Sequence, residues 1–255
     1  MRTRSRLFQR TRAVVDKLPS WTRRLHSFGW LHLLSSEDLN DLTVASYNQR
    51  TGFETPEHNL NGLWAWEEQA FKQHFANSKR VIVAGAGGGR EMIALSKMGL
   101  QVLGFDASMD LVDACRQNLR QANVSADCVF APPGEVPSGP AIYDGLLIGR
   151  GVYHHIPGSD RRIQFLTAGR QRVAGKSPVV IGDFLTRANK RSLNSYALSR
   201  EIEPGDAISS SFFHYFTEQE VSSELDQAGY DLEEYRDTPF PGGANMAHII
   251  ARTRP

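Results

Sequence analysis

From Lys79 onward, short apolar runs alternate with segments whose apolar residues recur at helical spacing, and this alternation strongly constrains the fold. Short apolar runs of this kind indicate buried strands, and the periodic segments indicate amphipathic helices. The predicted strands are residues 81–84, 101–105, 127–130, 142–148 and 178–184, and the predicted helices are residues 89–98, 109–122 and 160–173. Repeated strand–helix–strand units predict a parallel β-sheet with helices on both faces.

The two ends of the chain have different patterns. Residues 1–78 have mostly helical spacing, whereas a long connection after the fifth strand leads to a helix with a capping box at Thr217 and Glu220 and then to two strands. We therefore expect a helical N-terminal cap with a basic tail, residues 1–78, and an α/β domain, residues 79–255. The predicted segments are helices at 7–18, 21–34, from 35 or 36 onward, and 60–75, then the connection 185–216, the helix 217–228, and strands at 231–236 and 247–252.

A glycine-rich turn joins the first strand of the α/β domain to its first helix. The turn is Gly85-Ala86-Gly87-Gly88-Gly89, followed by Arg90 and Glu91. Glycines let a ligand approach the backbone, and the following helix N-terminus offers N–H groups without helical partners. Asp106 stands at the end of the second strand, 21 residues after Gly85. A carboxylate there can accept hydrogen bonds from both hydroxyls of a ribose, so the pattern predicts an adenosine-type ligand.

The spacing of the glycines separates two kinds of nucleotide site. A dinucleotide fingerprint needs Gly-x-Gly-x-x-Gly, but Arg90 occupies its third glycine position. The turn here is Gly-x-Gly-x-Gly. The predicted fold also has one parallel strand–helix half, which is followed by one helix and two terminal strands instead of by a second mononucleotide-binding half. In these features, residues 60–255 resemble the class I S-adenosylmethionine (SAM)-dependent methyltransferases.

The resemblance implies a fold, a cofactor and a binding site. The implied fold is a three-layer, Rossmann-like α/β architecture whose seven-stranded sheet is mostly parallel with an antiparallel last strand. The implied cofactor is SAM. The residues that match the family's cofactor-binding positions are Gly85, Ala86, Gly87, Gly89, Asp106 and Ala107.

Further segments match the family, with two departures. Residues 143–147 resemble the approach to the fourth strand, 149–157 lie where small-molecule methyltransferases place active-site residues, and 214–220 with 228–230 resemble the closing helix and turn. Val83 replaces the acid that commonly stands two residues before the first glycine, so contacts with the methionine end of SAM must come from elsewhere, for example from the backbone of Gly85–Gly87 or from the helical cap. Residues 131–135 replace the Gly-Asp pair that often borders the adenine.

Three histidines are candidates for a general base. His154 and His155 follow the fourth strand, at the carboxyl edge where such sheets bind ligands, and His214 precedes the closing helix. A neutral imidazole can accept the acceptor's proton during methyl transfer. His155 is our first candidate, with His154 and His214 as alternatives, although a histidine can also be a packed or surface residue.

Two residues beside the histidines are candidates for acceptor binding. The Arg150 guanidinium at the end of the fourth strand can bind a carboxylate or phosphate, or can form a structural ion pair. Tyr153 can line the pocket together with Tyr47, Trp64 and Trp66 from the cap, although aromatic residues at helical spacing usually belong to the core.

Charge is distributed unevenly along the chain. Residues 1–34 carry eight Lys or Arg and one acid, Asp16, a net charge of +7, whereas the remaining 21 bases and 27 acids give −6. The net negative charge of the chain after residue 34 disfavours binding along the phosphate backbone of a nucleic acid. The basic start fits a transit peptide, an RNA or membrane-surface contact, or a solvated helix face.

Composition limits the remaining classes of protein. Two cysteines, Cys115 and Cys128, are too few for a disulfide framework or a four-cysteine zinc site, and we expect no metal. The longest apolar runs are far shorter than the roughly 20 residues that cross a bilayer, so we expect a cytoplasmic protein.

The sequence therefore predicts a SAM-dependent methyltransferase that acts on an oxygen or nitrogen of a small-molecule acceptor. One alternative is an RNA or protein methyltransferase guided by the basic N-terminus. Another is a SAM- or nucleotide-binding protein without transfer chemistry, an alternative that the valine at position 83 leaves open. The acceptor and the oligomeric state do not follow from the sequence.

Overall fold

The computed structural model describes residues 1–49, 52, 54–140, 142–187, 202–239 and 245–255. The described helices and strands follow the predicted alternation. The helices are α1 Thr3–Val15, α2 Ser20–Leu31, α3 Ser36–Gln49, α4 Pro56–Asn59, α5 Ala65–His74, α6 Arg90–Lys97, α7 Met109–Gln121, α8 Ser159–Arg170 and α9 Glu218–Ala228. The strands are β1 Arg80–Ala84, β2 Gln101–Asp106, β3 Asp127–Phe130, β4 Gly145–Ile148, β5 Pro178–Leu185, β6 Asp206–Ile208, β7 Phe212–His214, β8 Tyr230–Pro239 and β9 Asn245–Thr253.

Seven strands form one mixed sheet in the order β3-β2-β1-β4-β5-β9-β8. Strands β1 to β5 are parallel to one another, and β9 lies antiparallel between β5 and β8. The predicted mostly parallel, seven-stranded sheet with an antiparallel last strand is therefore confirmed. No helix in the described ranges is long and apolar enough to cross a membrane.

Both faces of the sheet are buried, which explains why its strands are almost continuously apolar. Ile82 and Ala84 of β1 face one core cluster, whereas Val81 and Val83 face the other. Helices α8 and α9 cover the first face, and α5, α6 and α7 cover the second. Helix α5 contributes Phe71, so this helix, which lies within the predicted cap of residues 1–78, packs on the sheet together with α6 and α7.

The predicted helix at residues 60–75 is shorter in the structure. Gly62 has a φ of +76°, which is not helical, and α5 begins only after Trp64. The Trp64 N–H donates to Glu67 Oε2 at 2.7 Å, and this contact caps the helix start. A glycine and a side-chain cap together outweigh the apolar periodicity that extends to residue 60.

The helical cap includes a hairpin from the second half of the chain. Phe8 of α1, Leu31 of α2 and Leu42 of α3 share one apolar cluster with Ile208 and Phe212 of the β6–β7 hairpin. The hairpin lies in the predicted connection 185–216, where the sequence indicated no strands. Residues 188–201 of that connection lie outside the described residues.

Candidate active site

A cavity of about 530 Å³ lies between the carboxyl edge of the sheet and the helical cap. Its floor comes from the segments that follow β1, β2, β3, β4 and β5, and its roof comes from α3, α4 and Trp64. This volume lies within the usual range for small-molecule sites. The predicted site residues that line it are Gly85, Ala86, Gly87, Asp106, Ala107, Arg150, His154 and His155.

The glycine turn has two parts with different roles. The N–H groups of Gly85 and Ala86 donate to the Phe105 carbonyl at 2.8 and 3.0 Å, which anchors the turn to β2. A Cβ on Gly85 would lie 2.0 Å from Val152 Cγ2, so this glycine permits packing against the loop after β4. A Cβ on Gly87, whose φ is +52°, would meet no atom within 4 Å. Gly87 therefore leaves open space where a ligand can reach the backbone.

Gly89 has another role. It is the N-cap of α6, with a φ of +100°, and a Cβ there would lie 3.0 Å from Cys115 Sγ. Gly89 does not line the cavity, in contrast to the other predicted cofactor-binding residues. Its backbone shapes the start of α6 and allows α7 to pack closely.

Asp106 is held against the glycine turn. Its Oδ2 accepts a hydrogen bond from the Gly87 N–H and its Oδ1 accepts one from the Ser108 N–H, both at 2.9 Å. Burial raises the pKa of Asp106, and the N–H donors partly oppose this shift. Each carboxylate oxygen has capacity for a second donor, so the group can bind a ligand's two hydroxyls without releasing the turn.

A buried ionic cluster lies beside the start of α6. The Arg90 guanidinium donates to both oxygens of Glu67, each at 2.7 Å, and to Glu91 Oε1 at 2.5 Å. All three side chains are at most 10% exposed, and Arg90 and Glu91 line the cavity. Burial raises the pKa of Glu91. One guanidinium and two carboxylates make this end of the cavity suited to a cation.

His155 has a defined tautomer. Its Nδ1 lies 2.5 Å from the Phe212 carbonyl oxygen, which can only accept, so Nδ1 carries the proton. In the neutral ring, Nε2 is then the acceptor, and the Tyr47 hydroxyl, 3.0 Å away, donates to it. Both side chains line the cavity. We call this arrangement the Tyr47–His155 pair; Tyr47 comes from the cap and His155 from the edge of the sheet.

His154 has the opposite tautomer. Its Nδ1 accepts the Leu185 N–H at 3.1 Å, so a neutral ring carries its proton on Nε2. A Cβ on Gly151 would lie 3.7 Å from this Nε2, which places the ring beside the loop after β4. His154 is therefore suited to donate a hydrogen bond at the cavity rather than to accept a proton there.

The structure does not bring His214 or Tyr153 to the cavity. His214 is buried, with its Nδ1 2.6 Å from Asp206 Oδ1 and its ring against Phe216. Tyr153 is fully buried, stacks on Phe216 and donates to Glu224. Tyr153 belongs to the packing against α9, because the turn after β4 directs His155, rather than Tyr153, toward the cap. His214 belongs to the β6–β7 hairpin, where Asp206 holds it.

Arg150 lies where cap and sheet meet. Its guanidinium carbon is 4.3 Å from the centre of the Trp64 ring, and its Nε is 3.9 Å from Asp183 Oδ2. Burial lowers its pKa, although Asp183 opposes this. Arg150 lines the cavity beside the ionic cluster, so a cation-binding and an anion-binding group lie at the same end.

No protein-family model and no curated protein matches the chain, but many solved structures do. A SAM-dependent methyltransferase from Methanosarcina mazei has a TM-score of 0.63 at 14% identity and covers 76% of this chain and 99% of its own. The 1,6-didemethyltoxoflavin-N1-methyltransferase of Burkholderia thailandensis, solved with bound 1,6-didemethyltoxoflavin and S-adenosylhomocysteine, has a TM-score of 0.63 at 19% identity and covers 85% of this chain and 88% of its own.

A third similar structure is that of SpnF, a (4+2) cyclase, with a TM-score of 0.58 at 9% identity, covering 74% of this chain and 80% of its own. These likenesses establish that the chain has the fold of the class I SAM-dependent methyltransferases. At these identities they do not establish its chemistry, and the cyclase illustrates that one fold can carry different reactions.

Proposed function

We propose that this chain, whose fold is that of the class I SAM-dependent methyltransferases, is itself a methyltransferase that modifies an oxygen or nitrogen of a small molecule. The observation that carries the proposal is one cavity that joins the Gly87–Asp106 cradle to the Tyr47–His155 pair. SAM, when bound, would supply a sulfonium methyl group that an in-line nucleophile can accept as the neutral thioether, S-adenosylhomocysteine, leaves. The chain supplies binding, alignment and a base.

The residues present fit this cofactor. The open space over Gly87 admits a ligand against the backbone, and the Asp106 carboxylate can accept both ribose hydroxyls. Position 83, which commonly carries the acid that faces the methionine end, holds a buried valine. We assign that role to Glu91. Its cluster holds two carboxylates and one guanidinium, and the ammonium of the methionine end would neutralise the carboxylate that is in excess.

The Tyr47–His155 pair provides a path for the acceptor's proton. Because the Phe212 carbonyl occupies Nδ1, only Nε2 of His155 can take up a proton, and Tyr47 covers it. As the nucleophile attacks, its proton passes to the Tyr47 oxygen while the tyrosine proton passes to Nε2. The imidazolium keeps both ring N–H groups hydrogen-bonded, so the charge develops without an unsatisfied donor.

Arg150 completes the acceptor side of the proposal. Its guanidinium lines the cavity and lies over Trp64, so it can bind a carboxylate or phosphate on the acceptor. The cavity is bounded by the cap helix α3 through Thr43 and Tyr47, which favours a small acceptor over a polymer.

The cyclase neighbour favours one second candidate, a ligand-binding or cyclising protein of the same fold without methyl transfer. Mass spectrometry of the ligand that copurifies with the protein, followed by a metabolite screen with isotopically labelled methyl donor, separates the two. We expect SAM or S-adenosylhomocysteine to copurify and label to enter an acceptor. Bound SAM with no labelled product across the screen would favour the second candidate.

Asp106→Ala is expected to weaken SAM binding about 10- to 150-fold, the effect of losing hydrogen bonds to a charged group worth about 1.5–3 kcal/mol. Titration calorimetry measures this change. Unchanged affinity in a folded variant would remove the ribose assignment.

The affinity of the wild-type protein for SAM is expected to depend on pH. Ribose hydroxyls donate to the ionised carboxylate, so binding lowers the pKa of Asp106, which burial has raised in the free protein. Affinity should therefore fall as pH falls through that raised pKa and be constant above it. Asp106→Asn, which has no proton to exchange, should lose this dependence, and an identical slope in both proteins would contradict the assignment.

Glu91→Gln is expected to weaken SAM binding about tenfold and to leave adenosine binding unchanged, because only SAM carries the ammonium that the carboxylate would face. Calorimetry with both ligands measures the difference. Glu68→Gln, on the exposed side of α5, is the matched control. Equal losses for SAM and adenosine would indicate that Glu91 only supports the fold.

A further inference from the structure

The hairpin of helices α1 and α2 exposes an unusual set of large apolar side chains. They are between 47 and 65% exposed and are Leu7, Val14, Leu18, Trp21 and Leu25. The inward sides of the same helices are already buried, through Phe8 and Leu31, against the cap core. A helix that only covers a core has polar residues on its outer side. An exposed tryptophan among leucines therefore indicates a surface that another molecule or a membrane covers.

Basic residues are interspersed with these apolar side chains. Leu7, Arg10 and Val14 follow one another at spacings of three and four along α1, so they share one side of the helix. Lys17 precedes Leu18 in the turn, and on α2 Arg24 and Leu25 follow Trp21 at spacings of three and four, so they share its side of the helix. The outer side of the hairpin is thus mixed apolar and cationic.

The cations of this surface lack acidic partners. Within the residues that the structure describes, Arg6, Arg10, Lys17, Arg23 and Arg24 form no ion pair. The only acid of residues 1–34, Asp16, is bound by Arg12 at 2.7 Å. The partner should therefore supply negative charge as well as apolar volume.

We propose that the outer side of the α1–α2 hairpin docks on an anionic phospholipid surface. Leucine and tryptophan side chains enter the boundary between headgroups and acyl chains, while Lys and Arg reach the lipid phosphates. A second copy of the same surface is disfavoured as the partner, because docking it would bring together two segments that each have a net charge of +7. RNA would satisfy the cations but would leave Leu7, Val14, Leu18 and Leu25 in water. This proposal does not depend on the reaction at the cavity.

The test is cosedimentation of the full-length protein with phosphatidylcholine vesicles and with vesicles containing one quarter phosphatidylglycerol. We expect binding to the anionic vesicles at least tenfold stronger than to phosphatidylcholine, decreasing between about 0.1 and 0.5 M salt as screening increases. The double variant Trp21→Ser/Leu25→Ser should bind at least tenfold more weakly than wild type. Its control, Leu60→Ser/Met98→Ser, changes two large apolar side chains elsewhere that are 54 and 47% exposed, and it should bind like wild type.

Three results would overturn the proposal. The first is equal binding to both kinds of vesicle. The second is undiminished binding by a Trp21→Ser/Leu25→Ser protein whose thermal unfolding matches that of the control, because the attraction would then be charge alone. The third is that the protein does not bind vesicles and instead either binds single-stranded RNA in a salt-sensitive manner or forms a dimer that Trp21→Ser/Leu25→Ser abolishes.

Discussion

Replacing His155 by alanine is expected to lower turnover about 10²- to 10⁴-fold with little change in SAM affinity, since a positioned general base typically contributes that factor. Tyr47→Phe should produce a loss of similar size, because phenylalanine keeps the ring but removes the hydroxyl that donates to Nε2 and that, in the proposed path, takes up the acceptor's proton. The measurement is single-turnover methyl transfer, which reports the chemical step separately from product release.

The control for this prediction is the neighbouring histidine. His154→Ala removes a ring whose Nδ1 already accepts a backbone N–H, so the chemical step should change much less. If Tyr47 and His155 act as one unit, the double variant Tyr47→Phe/His155→Ala should be about as slow as either single variant. Near wild-type rates in both single variants would mean that alignment alone, without a base, accounts for transfer.

Gly87→Val is expected to abolish SAM binding. A branched side chain would enter the open space that the ligand needs, at a backbone φ of +52° that valine rarely adopts. The loss should be seen by calorimetry as no detectable heat at SAM concentrations that saturate the wild type.

Strain alone is a competing explanation, and Gly175→Val controls for it. Gly175 has a φ of +58° and equally open surroundings, but it lies in an exposed turn away from the cavity. Both variants should lose similar thermal stability, and only Gly87→Val should lose SAM binding. Retained affinity in Gly87→Val would place the cofactor elsewhere.

The sequence predicted the features that depend on neighbouring residues. The turn from Gly85 to Gly89 and the acid at Asp106 are local in the chain, and parallel strand pairing alone brings them together. The resulting contact between Asp106 and the Gly87 N–H follows from β2 lying beside β1.

The roles of the histidines could not be predicted in the same way. Both rings are held at Nδ1, but Nδ1 of His155 donates to the Phe212 carbonyl whereas Nδ1 of His154 accepts the Leu185 N–H, so the two tautomers are opposite. The partners of His155 are Tyr47, 108 residues earlier, and Phe212, 57 residues later. Phe212 belongs to a hairpin of three-residue strands, too short to produce a recognisable alternation in the sequence. Only the assembled cap determines these contacts.

The two groups that hold His155 both come from the cap. Tyr47 lies on α3 and Phe212 on β7, and the Phe212 N–H approaches Thr43 Oγ1 of α3 at 3.4 Å. An excursion that lifts the cap would therefore break both hydrogen bonds of the imidazole at once and release its tautomer. Access to the cavity and readiness of the base would then exclude each other. A form with the cap lifted would exchange ligands while the base is unassembled, and closing the cap would exclude solvent and complete the base in the same movement.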